Sequence, residues 1–294
     1  MKRISLILCL FALLICLGAP AFSKTSPKTQ VFIKEVSVSN AVTGTMKSRL
    51  NSDMLYKELE AAIQGTRMFL VLSRDKEILQ TILEEQDFAN SNKAAGDAAF
   101  EGELKNADLI FFPEVLAFSF YRTLKEVPNL PGKYKRSDRG SIKMHIRVVN
   151  SRTGTKEKII RNQVSFQTGS ELTSDKSKIP ANGNLTQMIL DISAKSADSL
   201  VDHLFPMKVI KRNGLKVYLN RGDDGSLKKG MVLNIYNPGE ALIDPDTGEN
   251  LGSAEEYVGQ IKIERVNPKF SIAIIQKSDL ADEIESGFIV RKPN

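Results

Sequence analysis

The sequence is short of the residues on which most enzyme and metal centres depend. Among 294 residues it has no Trp, two Cys and two His. Both cysteines, Cys9 and Cys16, lie in the first segment of the chain. If that segment is removed on export, the remaining protein has no thiol, no disulfide and no thiolate to bind a metal.

The two histidines do not form a metal or catalytic pattern. His145 lies on the polar face of an alternating stretch, and His203 lies near the end of a predicted helix, where a charged imidazole would favour the helix dipole. They are far apart and lack the H-x-x-x-H spacing of a zinc site. No nucleophile elbow, Walker loop or dinucleotide fingerprint occurs. We therefore predict a protein that is not an enzyme and has no cofactor.

The first residues have the three-part layout of a secretory signal. Lys2 and Arg3 precede an apolar run, and a small-residue exit follows it. We predict a signal peptide over residues 1–23 and an exported, periplasmic protein, with outer-membrane association left open. The apolar run is shorter than the ~20 residues of a spanning helix, which argues against a membrane anchor. Lipidation of Cys16 is an alternative, disfavoured because Ile15 stands where a lipoprotein site has a small residue.

The charge balance is mildly basic. The sequence has 41 Lys and Arg against 35 Asp and Glu, a net charge of +6, and loss of Lys2 and Arg3 would leave 39 − 35 = +4. The one dense basic stretch, GKYKRSDRG, also contains Asp138 and is typical of a solvated turn. It could contact an anionic membrane surface or an acidic glycan. We predict no nucleic-acid partner for an exported protein.

Residues 24–206 predict one layered domain. Hydrophobic periodicity gives the order β-α-β-α-β-β-β-α, which favours a mixed sheet with flanking helices, an α+β or α/β fold. A hairpin around NSRTGT has alternating apolar residues on both sides. Each helix has an apolar stripe that we expect to face inward. The stripe of the second helix consists of Ile78, Leu79, Ile82 and Leu83.

Residues 207–294 have a hydrophobic period of two throughout. Short alternating stretches are separated by Gly, Pro, Asp and Asn turns, and no helix of three turns fits. This pattern predicts a small all-β domain, most simply a compact barrel.

Motifs in the first domain resemble the family of the curli-secretion channel protein CsgG. The stretch GTRMFLVLSRDKEILQTILEEQ, the strand NADLIFFPEV and the hairpin IRVVNSRTGT match its patterns, with Pro113 where a glycine is common. The same fold occurs in outer-membrane-linked proteins such as the penicillin-binding-protein activator LpoB. The resemblance covers roughly residues 30–205 and implies a domain that packs side by side in rings.

The second domain resembles the C-terminal domain of the flagellar assembly protein FlgT. This resemblance implies a small β-barrel in a periplasmic, envelope-associated protein. It rests on Gly222, Gly225, Leu227, Gly230, Val232, Asp244, Pro245, Thr247, Gly248, Leu251, Gly252 and Gly259.

The CsgG relatives form their pore with two long hairpins per subunit, which would fall near residues 121–140 and 167–184. Here both stretches are short, charged and contain proline, and neither offers the ~9–11 alternating residues of a membrane strand. We predict that they are polar loops where partner recognition resides. Tyr121, Tyr134 and Arg136 are candidate interface residues, because Tyr and Arg are enriched in interface hot spots.

The segment IDPDTGENLG places three carboxylates close together, those of Asp244, Asp246 and Glu249. They are candidates for a calcium site or for a pair of catalytic acids. The spacing fits an EF-hand loop only in part, because Gly248 stands where the fifth-position ligand belongs. The Asp-Pro and Thr-Gly pairs instead favour a hairpin joint in the barrel.

These patterns favour an exported, non-enzymatic envelope protein that binds other envelope proteins or copies of itself. It would serve outer-membrane secretion or surface assembly, as in curli or flagella. One alternative is an oligomeric outer-membrane secretion channel of the CsgG type, which predicts conductance in bilayers. Another is an activator of peptidoglycan synthesis or a glycan-binding module, which predicts co-sedimentation with isolated peptidoglycan.

Overall fold

The structure is a computed structural model. It describes residues 28–89, 105–223, 227–248, 250–277 and 283–293. The predicted signal peptide, both cysteines and Glu249 lie outside these ranges. Each helix within them is too short or too polar to cross a membrane.

The first domain is a seven-stranded sheet with helices. Its strands are β1 (Thr29–Ile33), β2 (Ser37–Val38), β3 (Phe69–Val71), β4 (Leu109–Glu126), β5 (Tyr134–Asn150), β6 (Lys156–Gln167) and β7 (Glu171–Thr173). Its helices are α1 (Gly44–Arg49), α2 (Ser52–Gly65), α3 (Lys76–Ala89) and α4 (Asn182–Leu204). The strand order is β3-β1-β4-β5-β6, with β2 on β4 and β7 on β5. β1 pairs in parallel with β3 and β4, whereas β4, β5 and β6 are antiparallel, so the predicted mixed sheet is confirmed.

One face of this sheet is buried beneath α2 and α4. Alternation along β5 and a helical spacing in α2 both direct apolar side chains into the same core. Asn51 immediately precedes α2, and its side chain accepts a hydrogen bond from the backbone N–H of Met54 at 2.9 Å, which caps the helix. Full burial of each aliphatic side chain contributes roughly 1.5–3 kcal/mol. The buried set includes Leu55, Leu59, Ile63, Ile142, Met144, Ile146, Val148, Met188, Ile189 and Ile192.

The apolar stripe of α3 does not face this core, contrary to the prediction. The exposed fractions of Ile78, Ile82 and Leu83 are 49%, 37% and 46%. α3 follows β3, the edge strand of the sheet, and the buried face is already covered by α2 and α4. Periodicity shows that a helix has an apolar face, but it does not show whether another element covers that face.

The second domain is a closed antiparallel barrel, as predicted, with strand order β10-β13-β14-β9-β8-β15. Its strands are β8 (Met207–Asn213), β9 (Lys216–Leu219), β10 (Val232–Asn237), β13 (Glu256–Val266), β14 (Ser271–Lys277) and β15 (Ile289–Arg291). Between β10 and β13, β11 (Ala241–Ile243) and β12 (Asn250–Ser253) form a separate two-stranded sheet. The barrel has its own apolar core, which includes Leu219, Leu233, Ile235, Ile261 and Ile263.

Ion pairs join the barrel to the end of α4. The buried guanidinium of Arg221 lies 3.5 Å from the carboxylate of Asp202 and also donates to the backbone carbonyl of Phe205. Lys292, from the end of the chain, lies 3.3 Å from the same carboxylate and 3.9 Å from that of Asp198. Opposite charges on the last turns of α4 and on the barrel therefore fix the two domains against each other.

Candidate functional site

The hairpin formed by β4 and β5 extends beyond the rest of the sheet. Their pairing continues to Glu126 opposite Tyr134, whereas the pairing of β5 with β6 ends at Arg139. Residues 121–126 and 134–138 therefore project beyond β6, and β7 pairs with residues 134–136 of this extension. We refer to these residues, with their turn and β7, as the arm.

The prediction of polar loops over residues 121–140 and 167–184 is wrong for the first stretch and holds for most of the second. The first stretch is mostly paired strand, and the second contains β7, which pairs with residues 134–136. α4 then begins at Asn182. The turn of the arm is tight because Asn129 and Gly132 adopt positive φ values of 65° and 74°, which Asn and Gly tolerate best.

The arm has two different faces, because successive side chains on a strand point to opposite sides. The face that continues the buried side of the sheet contains Arg122, Leu124, Tyr134, Arg136 and Asp138. The segment that follows β7 contacts this side, and we call it the covered face. The other side continues the surface of the sheet opposite α2 and α4, and we call it the open face.

A buried ion pair holds the covered face together. Arg122 and Asp138 stand opposite each other on β4 and β5. Nε and Nη2 of Arg122 donate to the two carboxylate oxygens of Asp138 at 2.6 and 3.0 Å. Their side chains are only 6% and 7% exposed. This two-point geometry is the strongest form of charge-assisted hydrogen bond between side chains.

The same pair fixes the chain that leads into α4. The backbone N–H of Ala181 donates to Asp138 Oδ2 at 3.2 Å, and Arg122 Nη1 donates to the carbonyl of Ser177 at 3.5 Å. Thr168 closes the other end, since its Oγ1 accepts from the N–H of Asp138 and its N–H donates to the Asp138 carbonyl, both at 2.9 Å. The segment from 168 to 181 is therefore attached to the arm at both ends.

The electrostatic environment keeps Asp138 ionised. The hydrogen bond from Arg122 lowers the pKa of the Asp138 carboxyl, against the opposing effect of burial, and the N–H of Ala181 lowers it further. The same hydrogen bond raises the pKa of Arg122. Sequence reasoning missed this pair, because the two residues are opposite only when the register of the hairpin is known.

The three predicted interface residues are separated by the two faces. Tyr134 lies on the covered face, where Lys176 Nζ sits 5.7 Å from the centre of its ring. Arg136 is on the same face and donates to Glu171 Oε2 at 3.1 and 2.8 Å. Tyr121 is on the open face and 45% exposed. Tyr121 is thus the most exposed of the three, and the assignment of all three as interface residues stays a prediction.

The open face is basic. From the row of Glu114, His145 and Arg161 to the tip of the arm, its charged residues are five cations and one carboxylate. Tyr121 and Leu172, the latter 59% exposed, supply apolar surface among Ser, Thr and Gln side chains. The five cations are Lys125, Lys135, Arg139, Lys143 and Arg161.

A small polar cluster marks the base of the open face. Glu114 Oε2 lies 3.1 Å from His145 Nε2 and 3.9 Å from Arg147 Nη2. The Arg147 guanidinium also lies 5.9 Å from the ring centre of Phe112. The one carboxylate of this face is thus shared by two neighbouring side chains, which leaves the cations nearer the arm to set its charge.

The turn of IDPDTGENLG connects β11 and β12 outside the closed barrel, which corrects the prediction of a joint within it. The carboxylate of Asp244 accepts hydrogen bonds from the N–H groups of Asp246 and Thr247 at 2.8 and 3.1 Å, and these bonds lower its pKa. Gly248 has a φ of 68°. Among the described residues, which do not include Glu249, no group of three His, Cys, Asp or Glu could hold a metal.

One protein-family model matches part of the chain. A family model, curli production assembly/transport component CsgG, matches residues 20–164. The match covers just under half of the chain. Residues 165–294 lie outside the match, so the resemblance of the barrel to FlgT stays a prediction. No curated protein matches the chain.

Several solved structures of bacterial proteins are similar to this chain at low identity. A Xanthomonas campestris protein of family DUF330 has 10% identity and a TM-score of 0.34, over 63% of this chain and 91% of that one. A minor lipoprotein from Acinetobacter baumannii has 8% identity and a TM-score of 0.26, over 60% and 91%. The PelC dodecamer from Paraburkholderia phytofirmans has 9% identity and a TM-score of 0.25, over 57% and 84%. These similarities are too weak to assign a ligand or an assembly to this chain.

Proposed function

We propose that this chain is an exported, non-enzymatic envelope protein that binds an acidic protein surface through its open face. It acts as an assembly factor for outer-membrane secretion or for surface structures. The match of residues 20–164 to a curli production assembly/transport family and the signal-like first segment support this role.

The observation that carries the proposal is the difference between the two faces of the arm. The covered face holds four of its charges in internal pairs, Arg122 with Asp138 and Arg136 with Glu171. The open face has five cations around an exposed tyrosine. A basic surface steers and orients an acidic partner. Because the arm is already braced, little conformational entropy is lost on binding.

Charge reversal on the open face tests the proposal. We expect Lys135→Glu combined with Arg139→Glu to weaken capture of envelope proteins by immobilised protein by about tenfold or more. The reason is that two of the five cations of the open face then repel an acidic partner. The matched control is Lys228→Glu with Lys229→Glu, two exposed lysines of the barrel domain. Equal capture by wild-type protein and the open-face variant would overturn the proposal.

The second candidate is a channel of the CsgG type, and one observation favours it. The strands of the arm occupy the position where the first pore hairpin of the family would fall. The charges of Lys125, Lys135 and Arg139 on the open face disfavour contact with lipid, because each basic residue on a lipid-facing strand costs up to ~2–4 kcal/mol at the midplane. Planar bilayers separate the candidates: our proposal predicts no step currents, and reproducible steps would establish the channel.

A further inference from the structure

Charge is segregated along the sequence of the barrel. Residues 207–222 contain five basic residues and no acidic residue, and residues 230–261 contain six acidic residues and no Lys, Arg or His. The basic residues are Lys208, Lys211, Arg212, Lys216 and Arg221. The acidic residues are Glu240, Asp244, Asp246, Glu249, Glu255 and Glu256. The basic stretch forms β8 and β9, and the acidic stretch forms β10, the β11–β12 hairpin and the first part of β13.

The basic side of the barrel has a groove of about 520 Å³ with an apolar floor. The rings of Tyr218 and Phe270 lie 6.3 Å apart in it, and Ile210 is 48% exposed beside them. The register shift between Val209 and Lys211 interrupts strict alternation, and Ile210 and Lys211 are both exposed there. The full lining is Ile210, Lys211, Asn213, Tyr218, Lys269 and Phe270, two lysines and no acid among the described residues.

The acidic side carries exposed apolar residues of its own. Leu242 and Ile243 on β11 are 50% and 55% exposed, and Tyr257 at the start of β13 is 53% exposed. Glu240 and Asp246, both exposed, flank the two aliphatic residues. Leu242 and Ile243 are consecutive on β11 and point to opposite faces of the hairpin, so each face presents one apolar side chain near a carboxylate. Such a face is the chemical complement of an apolar groove bordered by lysines.

The two surfaces cannot meet within one chain. The hairpin is inserted between β10 and β13, and in the closed order of six strands β9 lies three strands from β10 in either direction. The groove and the hairpin are thus on opposite sides of the barrel. A contact between them joins two copies through different surfaces, which builds a ring or an open chain.

We propose that the β11–β12 hairpin of one copy docks in the groove between β8, β9 and the β13–β14 turn of the next copy. Leu242, which lies on the same face as Glu240, fills the space beside Tyr218 and Phe270, and Glu240 and Asp246 pair with Lys211 and Lys269. The inference deepens the proposed binding role by naming a second copy as the partner of the barrel.

Charge complementarity favours the hairpin as the occupant of the groove. The groove is lined by two lysines and no acid among the described residues, and the hairpin carries exposed carboxylates beside its exposed apolar residues. Phospholipid would also leave the acidic hairpin without a role. Because the pairing charges are exposed, association should weaken when salt rises from about 0.05 M to about 0.5 M.

Sedimentation velocity on the purified chain, with a mixing step, tests the proposal. The groove variant is Lys211→Glu with Lys269→Glu, and the hairpin variant is Glu240→Lys with Asp246→Lys. We expect each variant alone to associate about tenfold or more weakly than the wild type. Mixing the two should restore association, since each groove then meets a hairpin of opposite charge. A variant that had lost its fold could not be rescued in this way.

The outcomes are distinct. Restoration on mixing supports the docking, whereas a monomeric wild type or unchanged association of the groove variant overturns it. If the groove variant associates normally but no longer binds vesicles of phosphatidylglycerol and phosphatidylethanolamine, the groove is a lipid site and the proposal is wrong. The open-face variant Lys135→Glu/Arg139→Glu should associate normally and fail only in partner capture, so this inference and the proposed function fail separately.

Discussion

Arg122 and Asp138 face each other across β4 and β5, and their buried side chains make two hydrogen bonds of 2.6 and 3.0 Å. They occupy the position where the apolar core ends, in line with Phe118 and Phe120, which are buried on the same side of β4. The pair thus replaces hydrophobic packing as the means of attaching the arm to the segment that leads into α4. Its loss should release this segment without dissolving the sheet beneath it.

The first prediction concerns that pair. Arg122→Ala leaves the Asp138 carboxylate buried without its cation, and we expect a loss of about 3–5 kcal/mol in the free energy of unfolding. The double variant Arg122→Met/Asp138→Leu, which removes both charges, should recover most of this loss. Urea unfolding gives the free energies. A double variant no more stable than Arg122→Ala would contradict the account.

The pH dependence of stability follows from the lowered pKa of Asp138. Its pKa is below the ordinary value of 3.8 in the folded protein. The stability it contributes is therefore fully present above that value and is lost as pH falls through the lower folded value. We expect the stability advantage of wild-type protein over Asp138→Asn to be constant near neutral pH and to shrink below about pH 4. Chemical unfolding of both proteins from neutral pH down to about pH 2.5 measures this difference in the free energy of unfolding. A difference that grew on acidification would contradict a lowered pKa for Asp138.

Two of the glycines that approach other atoms too closely to carry a side chain, Gly140 and Gly222, face different kinds of neighbour. A Cβ on Gly140 would meet the ring of Phe166, which can turn aside, whereas a Cβ on Gly222 would lie 2.7 Å from the backbone carbonyl of Pro268. We expect Gly140→Ala to cost about 1–3 kcal/mol and Gly222→Ala to cost more. Phe166→Leu in the Gly140→Ala background should recover part of the first loss. Thermal unfolding ranks the variants. If Gly140→Ala cost more than Gly222→Ala, the backbone of the β13–β14 turn would be able to move away from the added methyl group, contrary to our expectation.

The exposed stripe of α3 gives a contrast with α2. We expect Ile78→Ser and Ile82→Ser each to change the free energy of unfolding by less than about 1 kcal/mol, as for most exposed positions. Leu59→Ser, in the buried face of α2, should cost several-fold more. Urea denaturation compares them. Equal losses would mean that α3 packs against another surface in solution.

We expect the hydrogen bonds of the turn between β11 and β12 to order the turn itself but to contribute little to the free energy of unfolding of the domain. Asp244→Ala removes the acceptor of two backbone N–H groups, so we expect faster amide exchange at Asp246 and Thr247. The free energy of unfolding of the barrel domain should change by less than about 1 kcal/mol, because the hairpin lies outside the closed sheet. Calcium added to wild-type protein should leave these amides unchanged. Protection by calcium would restore the carboxylates as a metal site.

Periodicity within a single segment was enough to predict several strands and helices and the side that each of them buries. The alternation of Ile142, Met144, Ile146 and Val148 predicted β5 and its buried side, and the helical spacing of Leu55 and Leu59 predicted α2. Both results rest on periodicity within a single segment, which the sequence records directly.

The arm could not be predicted in this way. Arg122 and Asp138 are separated along the chain, and each alone is typical of a solvated loop. Only the register of the hairpin places them in contact, and only then can the segment from 168 to 181 be held. The same register places Tyr121 on the open face and Tyr134 on the covered face. The candidate site could therefore not be predicted without the strand pairing of the folded protein.

The most direct test of the open face is a photocrosslinking comparison at two tyrosines. A photoreactive residue in place of Tyr121 stands on the open face, and the same residue in place of Tyr134 stands on the covered face beneath Lys176. On irradiation of intact cells, the account predicts crosslinks to a distinct envelope protein from position 121 and none of that species from position 134. No crosslink from position 121, or the same species from both positions, would contradict it.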